Sequence, residues 1–198
     1  MIELRHAEPA DYDALIARVD AWWGREVSPM LPRLFFTHFQ PWTYVAEDAE
    51  GIAGFLAGFQ SQSDPGQAYC HFIGVHPRAR GRGVGEALYQ RLCADALARG
   101  CREVLAVSSP LNTASIAFHR RLGFAALPGD GNVDGVPFTP AYDGPGEDRV
   151  RLRLTLPAPN PRPPPLPSGR ERGAGSDDSR SPAPVAMRGD EDALTGHD

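Results

Sequence analysis

The amino-acid sequence predicts an α/β domain with a mixed β-sheet and flanking helices. A strand, a glycine-rich turn, a helix and a second strand follow one another between residues 68 and 107, which is the order of a parallel βαβ unit. Before this unit, two apolar-rich runs at 42–47 and 52–60 are separated by Asp48-Ala49-Glu50-Gly51, which indicates an antiparallel hairpin. Both kinds of strand pairing are therefore expected in the sheet.

Composition narrows the class of protein. The 198-residue chain carries a net charge of −5, which argues against general nucleic-acid binding because that depends on a basic surface. No apolar run follows a basic N-terminus and no stretch approaches the ~20 apolar residues of a membrane span, so we expect a cytoplasmic protein without a membrane partner. Cys70, Cys93 and Cys101 fit neither a metal site nor a disulfide framework and are interpreted as reduced thiols.

The N-terminal part of the chain predicts a strand followed by two helices. Residues 1–5 alternate as a short strand, and Pro9 opens a helical segment whose apolar residues share a face. A second helix is predicted over residues 30–39. Trp22 and Trp23 lie between these helices, where they either line a pocket or close the core.

The glycine-rich turn is interpreted as an anion site at the start of a helix. Its glycines leave backbone amides uncovered by any Cβ, where unpaired N–H groups and the helix dipole favour an anion; they are Gly81, Gly83 and Gly85. The surrounding arginines, which are Arg78, Arg80 and Arg82, suit a pyrophosphate, although a tight turn with solvated arginines also fits. A Walker loop is excluded because the chain has no lysine. A Rossmann fingerprint is excluded because Glu86 occupies the position of its third glycine.

The C-terminal half predicts a strand at 103–107, a helix from Asn112 to Gly123, and a last strand at 150–156. The intervening residues 128–147 read as a long loop. Its acidic residues are either solvated or favour a cationic amine; together with the residue that follows the loop, they are Asp130, Asp134, Asp143, Glu147 and Asp148.

A change of composition at Pro157 divides the chain. Residues 157–198 contain nine prolines and five glycines in 42 residues and no aromatic residue, so this segment cannot bury enough apolar surface to offset chain entropy. We therefore expect a folded domain over residues 1–156 and a disordered tail over 157–198. The proline-rich run at 161–167 is either an inert extension or a partner-binding segment.

Two motifs resemble the GNAT N-acetyltransferase superfamily. Arg80-Gly81-Arg82-Gly83-Val84-Gly85 matches its Arg/Gln-x-x-Gly-x-Gly/Ala signature and follows a strand that ends in Val-x-Pro. Residues 112–124, which end in Leu-Gly-Phe, resemble the second helix on the cofactor side of that family. The resemblance implies a central, mostly antiparallel sheet with one splayed parallel strand pair, and acetyl-CoA as the co-substrate.

By this resemblance, the glycine turn binds the pyrophosphate of acetyl-CoA, and the pantetheine arm enters between the splayed strands. The implied cofactor-binding residues are Ile73, Gly74, Val75, Arg80, Gly81, Arg82, Gly83, Val84, Gly85, Asn112 and Ser115. Gly74 would allow close approach by the ligand, or it marks only a bulge. Helix capping alone would also explain Asn112.

The implied reaction is direct acetyl transfer to a primary amine of a small molecule or peptide, which requires a base for the amine and an acid for the departing thiolate. No glutamate stands where many family members carry one, so His71 and Tyr69, on one side of the cofactor strand, are the candidate bases. His119 stands where the family commonly places a tyrosine that protonates the thiolate, so it is either the acid or a packing residue. The alternative function is a non-catalytic acyl-CoA-binding or sensing protein. A monomer or homodimer without a metal is expected.

Overall fold

The structure is a computed structural model that describes residues 1–157. The predicted tail lies outside the described residues apart from Pro157. The strands are β1 (Glu3–His6), β2 (Thr43–Asp48), β3 (Gly51–Gln60), β4 (Gln67–Val75), β5 (Glu103–Ser108), β6 (Ala125–Ala126), β7 (Gly131–Val133), β8 (Val136–Phe138) and β9 (Val150–Thr155). The helices are α1 (Pro9–Ile16), α2 (Val19–Trp23), α3 (Leu34–Thr37), α4 (Val84–Ala98) and α5 (Thr113–Arg121). No helix within this range combines the length and apolar character needed to cross a membrane.

Seven strands form one mixed sheet in the order β1-β2-β3-β4-β5-β9-β6. Among the strands of residues 1–157, only β4 and β5 pair in parallel, and α4 makes the crossover between them, while every other neighbouring pair in this sheet is antiparallel. The predicted βαβ unit, hairpin and mixed sheet are confirmed, as is the α/β fold with one parallel pair.

Side chains alternate between two cores along the inner strands. On β2, Tyr44 and Ala46 belong to the core beneath α4 and α5, whereas Val45 belongs to the core beneath α1, α2 and α3. Alternation of this kind places a helical layer on each face of the sheet, because successive strand residues point to opposite sides. The parallel pair is therefore covered on both faces, as buried parallel strands require.

The N-terminal helical region is more broken than the sequence predicts. The expected helix over residues 30–39 is reduced to the short α3, preceded by a 3₁₀ turn at Ser28–Met30. Pro32 explains the break, because the residue before a proline is pushed out of the helical region and Leu31 has φ −118° and ψ 75°. Trp22 and Trp23, placed between helices by the sequence, close α2.

The predicted loop at 128–147 contains a hairpin made of β7 and β8. Asp134 and Gly135 form its two-residue turn with φ values of 49° and 78°. An Asp-Gly pair between two valines is a strong hairpin signal because both positions of such a turn need positive φ. The long-loop prediction was wrong here because the overall glycine, proline and aspartate content outweighed this local signal.

An extra residue in β4 bends the strand where the cofactor gap is expected. Cys70 pairs with Gly58 and Phe72 pairs with Ala57, so His71 is inserted opposite no partner of its own. Such a bulge turns the following residues to the opposite face. Pairing between β4 and β5 ends at Cys70 and Ala106, although both strands continue, so the parallel pair opens from this point onward.

Candidate active site

A cleft of about 1260 Å³ occupies the opening between β4 and β5. Seven residues that the sequence selected lie on its wall: His71, Ile73, Val75, Arg80, Asn112, Ser115 and His119. Tyr69, Gly74 and the segment 81–85 do not line it. The cleft therefore brings together half of the fourteen expected cofactor and catalytic positions.

The edge of β4 that faces the cleft has free backbone groups. The His76 N–H donates to the Ala53 carbonyl of β3 at 2.9 Å, and in an antiparallel ladder the backbone groups of alternate residues face the same neighbour. The N–H and C=O groups of Ile73 and Val75 therefore face away from β3, toward the opening. The Arg80 Nε atom, 3.3 Å from the Val75 carbonyl oxygen, already uses one of them.

The turn before α4 is open above its backbone. Gly81 and Gly83 have φ values of 74° and 79°, and a Cβ at either would meet no atom of the described residues within 4 Å. Gly83 is the N-cap of α4, and the first intrahelical bond joins the Ala87 N–H to its carbonyl. The N–H groups at the start of α4 therefore lack intrahelical partners and point to an uncovered surface, as an anion cradle requires.

Gly74 and Gly85 are glycines for reasons of packing. A Cβ at Gly85 would lie 2.9 Å from the Phe118 ring, so its absence allows α4 to approach α5 closely. A Cβ at Gly74 would lie 2.4 Å from the Trp23 indole and 2.7 Å from the Phe55 ring. The sequence interpretation that bare backbone at these two positions serves the ligand is therefore not supported by their surroundings.

Gly85 can be tested through stability. We expect Gly85→Val to lower the free energy of unfolding by about 1–3 kcal/mol, because the new side chain overpacks the contact with Phe118. Gln90→Val, at an exposed position of the same helix, should change it by only about 0.5 kcal/mol. Urea unfolding measures both. Wild-type stability combined with lost acetyl-CoA binding in Gly85→Val would show instead that this glycine belongs to the anion cradle.

The arginines of the turn are tied to protein acceptors. Arg80 also donates through Nη2 to the Trp22 carbonyl oxygen. Arg78 and Arg82 contact the same Asp48 carboxylate at 2.6 and 3.3 Å, and this pairing lowers the pKa of Asp48 to about 2. The charge near the cradle is therefore partly neutralised, and the backbone amides at the start of α4 add donors without a helical partner.

His71 has one nitrogen fixed and one free. Its Nε2 lies 2.8 Å from the Met30 carbonyl oxygen, which accepts only, so Nε2 carries the proton. The ring stacks on Phe35 at a centroid distance of 4.5 Å. Nδ1 has no hydrogen-bond partner within residues 1–157, and burial lowers the pKa of the side chain. A neutral imidazole with a free Nδ1 lone pair on the cleft wall can accept a proton.

Tyr69, the other candidate base, shares the face of His71 but lies outside the cleft. It stacks on Phe59 at a centroid distance of 5.2 Å. Burial raises the pKa of its phenol above the usual value, so the group is a poor proton acceptor at neutral pH. The geometry favours His71 over Tyr69.

His119 is 3% exposed and both of its nitrogens are bonded. Nδ1 lies 2.8 Å from the Ser115 carbonyl oxygen and must carry the proton, so Nε2 accepts from the Tyr89 hydroxyl at 2.7 Å. Burial lowers the pKa of the imidazole. A neutral histidine with an occupied Nε2 has no proton to give, which argues against the acid role considered for His119.

Tyr89 is the functional candidate that sequence reasoning missed. It lies on α4 among core residues, and its spacing with Leu92 and Ala96 reads simply as a buried helix face. In the structure it lines the cleft, and its hydroxyl, bonded to His119, is close to the Cys70 thiol. Burial raises the pKa of the phenol well above 10 and that of the thiol to about 12, so both stay protonated.

The cleft lining also includes aromatic and charged groups. Trp23 stacks with Phe72 at a centroid distance of 5.2 Å, while Trp22 is buried against Phe55. This outcome supports a pocket role for Trp23 and a core role for Trp22.

Three of the five acidic residues named from the sequence, Asp143, Glu147 and Asp148, line the cleft. Asp143 and Glu147 each pair with Arg149 at 2.6 Å.

A family model described as the acetyltransferase (GNAT) family matches residues 9–124, which is more than half of the chain. The chain belongs to the GNAT acetyltransferase family. Relatives agree: acetyltransferase plu1384 of Photorhabdus laumondii is 34% identical over 88 residues, which cover 44% of this chain and 59% of that protein. Acetyltransferase SG1711 of Sodalis glossinidius is 34% identical over 80 residues, covering 40% of this chain and 54% of that protein. The matched region thus spans less than two thirds of either relative.

Solved GNAT structures share the fold. A GNAT acetyltransferase from Desulfovibrio desulfuricans gives a TM-score of 0.63 at 20% identity, covering 78% of this chain and 99% of that one. The diaminobutyrate acetyltransferase EctA from Paenibacillus lautus was solved with L-2,4-diaminobutyric acid and coenzyme A. It gives a TM-score of 0.60 at 19% identity, covering 78% of this chain and 95% of that one. The acetyltransferase yncA from Salmonella typhimurium, solved with acetyl-CoA, gives a TM-score of 0.58 at 22% identity, covering 84% of this chain and 99% of that one.

Proposed function

We propose that this GNAT protein transfers an acetyl group from acetyl-CoA to a primary amine by direct attack. One observation carries the proposal: a cleft with an unpaired strand edge on β4 and a histidine with a free nitrogen reaches Arg80, the residue that begins the uncovered turn before α4. A structural opening alone would not need these groups in one place. Family membership agrees with this reading.

The free polar groups of the cleft and of the adjoining glycine turn fit acetyl-CoA. The amides at the start of α4 and the open glycines Gly81 and Gly83 would hold the pyrophosphate, with Arg82 as a nearby charge. Ile73 and Val75 would bond the pantetheine amides as an added strand does. Asn112 uses its side-chain oxygen to cap α5 at the Ser115 N–H, which leaves its NH₂ group for the ligand. When bound, acetyl-CoA supplies an activated acyl thioester.

His71 would remove the proton that the attacking amine must lose. Its Nδ1 lone pair is free, and the bond from Nε2 to the Met30 carbonyl fixes the tautomer. A lowered pKa keeps the imidazole neutral at pH 7, which is the form that accepts a proton. The proton passes to Nδ1 directly or through one water.

Tyr89 would meet the negative charge that develops on the departing sulfur. The phenol remains a proton donor at neutral pH because burial opposes its ionisation. His119 accepts the same O–H in the resting structure and thereby fixes its position. In this proposal His119 positions the hydroxyl, and Tyr89 takes the role that the sequence had suggested for His119.

Substitutions of Tyr89 and His119 distinguish the donor role from the positioning role. We expect Tyr89→Phe to lower kcat about 10–100-fold, the effect of one hydrogen bond to a charged group. His119→Phe should cost less because it removes only the support of that hydroxyl, and kcat of the wild type should not fall through a His119 titration near neutral pH. Steady-state rates from pH 6 to 9 measure this. A larger loss in His119→Phe, with recovery in His119→Tyr, would make His119 the acid.

Thiol release from acetyl-CoA across a panel of primary amines tests the function itself. We expect amine-dependent release with the wild type. Binding of acetyl-CoA without turnover on any amine, including small amines, amino acids and peptides with free N-termini, would instead support the acyl-CoA-binding or sensing alternative.

A further inference from the structure

Ser108 carries a polar group that the folded protein leaves unused. It is the last residue of β5, it is 7% exposed, and its Oγ atom has no hydrogen-bond partner among the described residues. Buried hydroxyls are normally bonded because an unsatisfied one loses its hydration without compensation. Ser108 also lies on the wall of the cleft, so its hydroxyl borders a space that a ligand can occupy.

The position of Ser108 relates this hydroxyl to the opening between the strands. The last parallel pair joins Cys70 to Ala106, and Ser108 follows two residues later, beyond the point where β4 and β5 part. Residues two apart on a strand share a face, so Ser108 lies on the side of Ala106. Its backbone is paired with Val150 of β9, which leaves the side chain as its free polar group.

The neighbours of Ser108 do not explain a serine. Ala106 and Val104, which precede it on the same face of β5, are apolar and buried, as is Val150 opposite it. An alanine or valine would continue this apolar surface without an unpaired hydroxyl. The unpaired serine hydroxyl therefore destabilises the unliganded protein, and a hydrogen bond to a ligand would compensate for this loss.

We propose that the Ser108 hydroxyl donates a hydrogen bond to a carbonyl oxygen of the pantetheine–thioester arm of acyl-CoA. This inference rests on the proposed function, because it assigns a further binding residue to the same cleft. The oxygen belongs either to the thioester or to a pantetheine amide, both of which are carbonyl acceptors that a serine hydroxyl suits.

Calorimetric titration of Ser108→Ala with CoA and with acetyl-CoA tests the inference, alongside the melting temperature of the unliganded protein. We expect a Kd about tenfold higher, which is the effect of roughly one hydrogen bond, with an unliganded melting temperature equal to or above that of the wild type. Weaker binding of both ligands assigns the bond to a pantetheine amide, and weaker binding of acetyl-CoA alone assigns it to the thioester. Ser108→Thr, which keeps the hydroxyl, should recover most of the affinity.

Ser61→Ala is the matched control, because the Ser61 hydroxyl is already used: it accepts from the Ser63 and Asp64 N–H groups away from the cleft. It should lower the melting temperature and leave both affinities unchanged. Wild-type affinity for both ligands in Ser108→Ala, or a clear loss of unliganded stability in it, would overturn the inference alone. Failure of the wild type to bind either ligand would overturn the proposed function, and this inference with it.

Discussion

Replacing His71 with asparagine should lower kcat by about 10²–10⁴, the range for loss of a positioned general base. Asparagine has no basic lone pair, so the proton acceptor is removed; its amide reaches only the Nδ1 position, so the bond from Nε2 to the Met30 carbonyl is lost as well. Binding of acetyl-CoA, measured by calorimetry, should stay near the wild-type value. Tyr69→Phe is the matched variant on the same strand face and should retain its rate because Tyr69 does not line the cleft.

The pH dependence provides an independent test of His71. Only the neutral imidazole accepts a proton, so activity should rise with pH through the His71 pKa and then level off. Burial lowers that pKa, which places this rise below the ordinary value of ~6.5. The acceptor amine also titrates, but it does so equally in both proteins, so the ratio of wild-type to His71→Asn rates isolates the histidine. A pH-independent ratio, or a near-wild-type rate in His71→Asn, would contradict the assignment.

Gly83→Val should weaken acetyl-CoA binding by about 10²-fold or more, since each hydrogen bond to a charged group contributes about 1.5–3 kcal/mol and the side chain would obstruct several amides. The φ of 79° at Gly83 also strains any β-branched residue. Gly100→Val separates the two effects, because Gly100 follows the other end of α4 with a φ of 81° and an equally open Cβ position.

Both glycine variants should lose similar stability in urea unfolding, and only Gly83→Val should lose affinity for acetyl-CoA in calorimetry. Wild-type affinity in both variants would show that the start of α4 does not hold the pyrophosphate. Comparable losses in both would show that strain in α4, and not covered amides, controls binding.

Local patterns predicted the sheet well. The βαβ unit and the β2–β3 hairpin depend on apolar periodicity and turn residues, which are read within a few positions of each other. The short α3 and the β7–β8 hairpin were missed because one proline and one Asp-Gly pair decide them, against the composition of the longer segment.

The site was predicted less completely because its roles depend on contacts between distant residues. The sequence places Gly85 in a ligand motif, but it does not show that Phe118 fills the space above it. Likewise, His119 was a reasonable acid until Tyr89, thirty positions earlier, was found at its Nε2. Periodicity marks Tyr89 as buried, and it cannot tell a buried packing residue from a buried donor.

The inserted His71 lets β4 carry an additional side chain without a change of register. His71 stacks on Phe35, and Phe72 packs in the same core, so two consecutive residues lie on one face of the strand. Deletion of residue 71 would close the ladder in its existing register, because Cys70 already pairs with Gly58 and Phe72 with Ala57. Ile73 and Gly74 would keep their faces, and the strand would lose its bend and the imidazole. The bulge therefore adds a chemical group to the cleft wall while the backbone groups that follow it keep their direction.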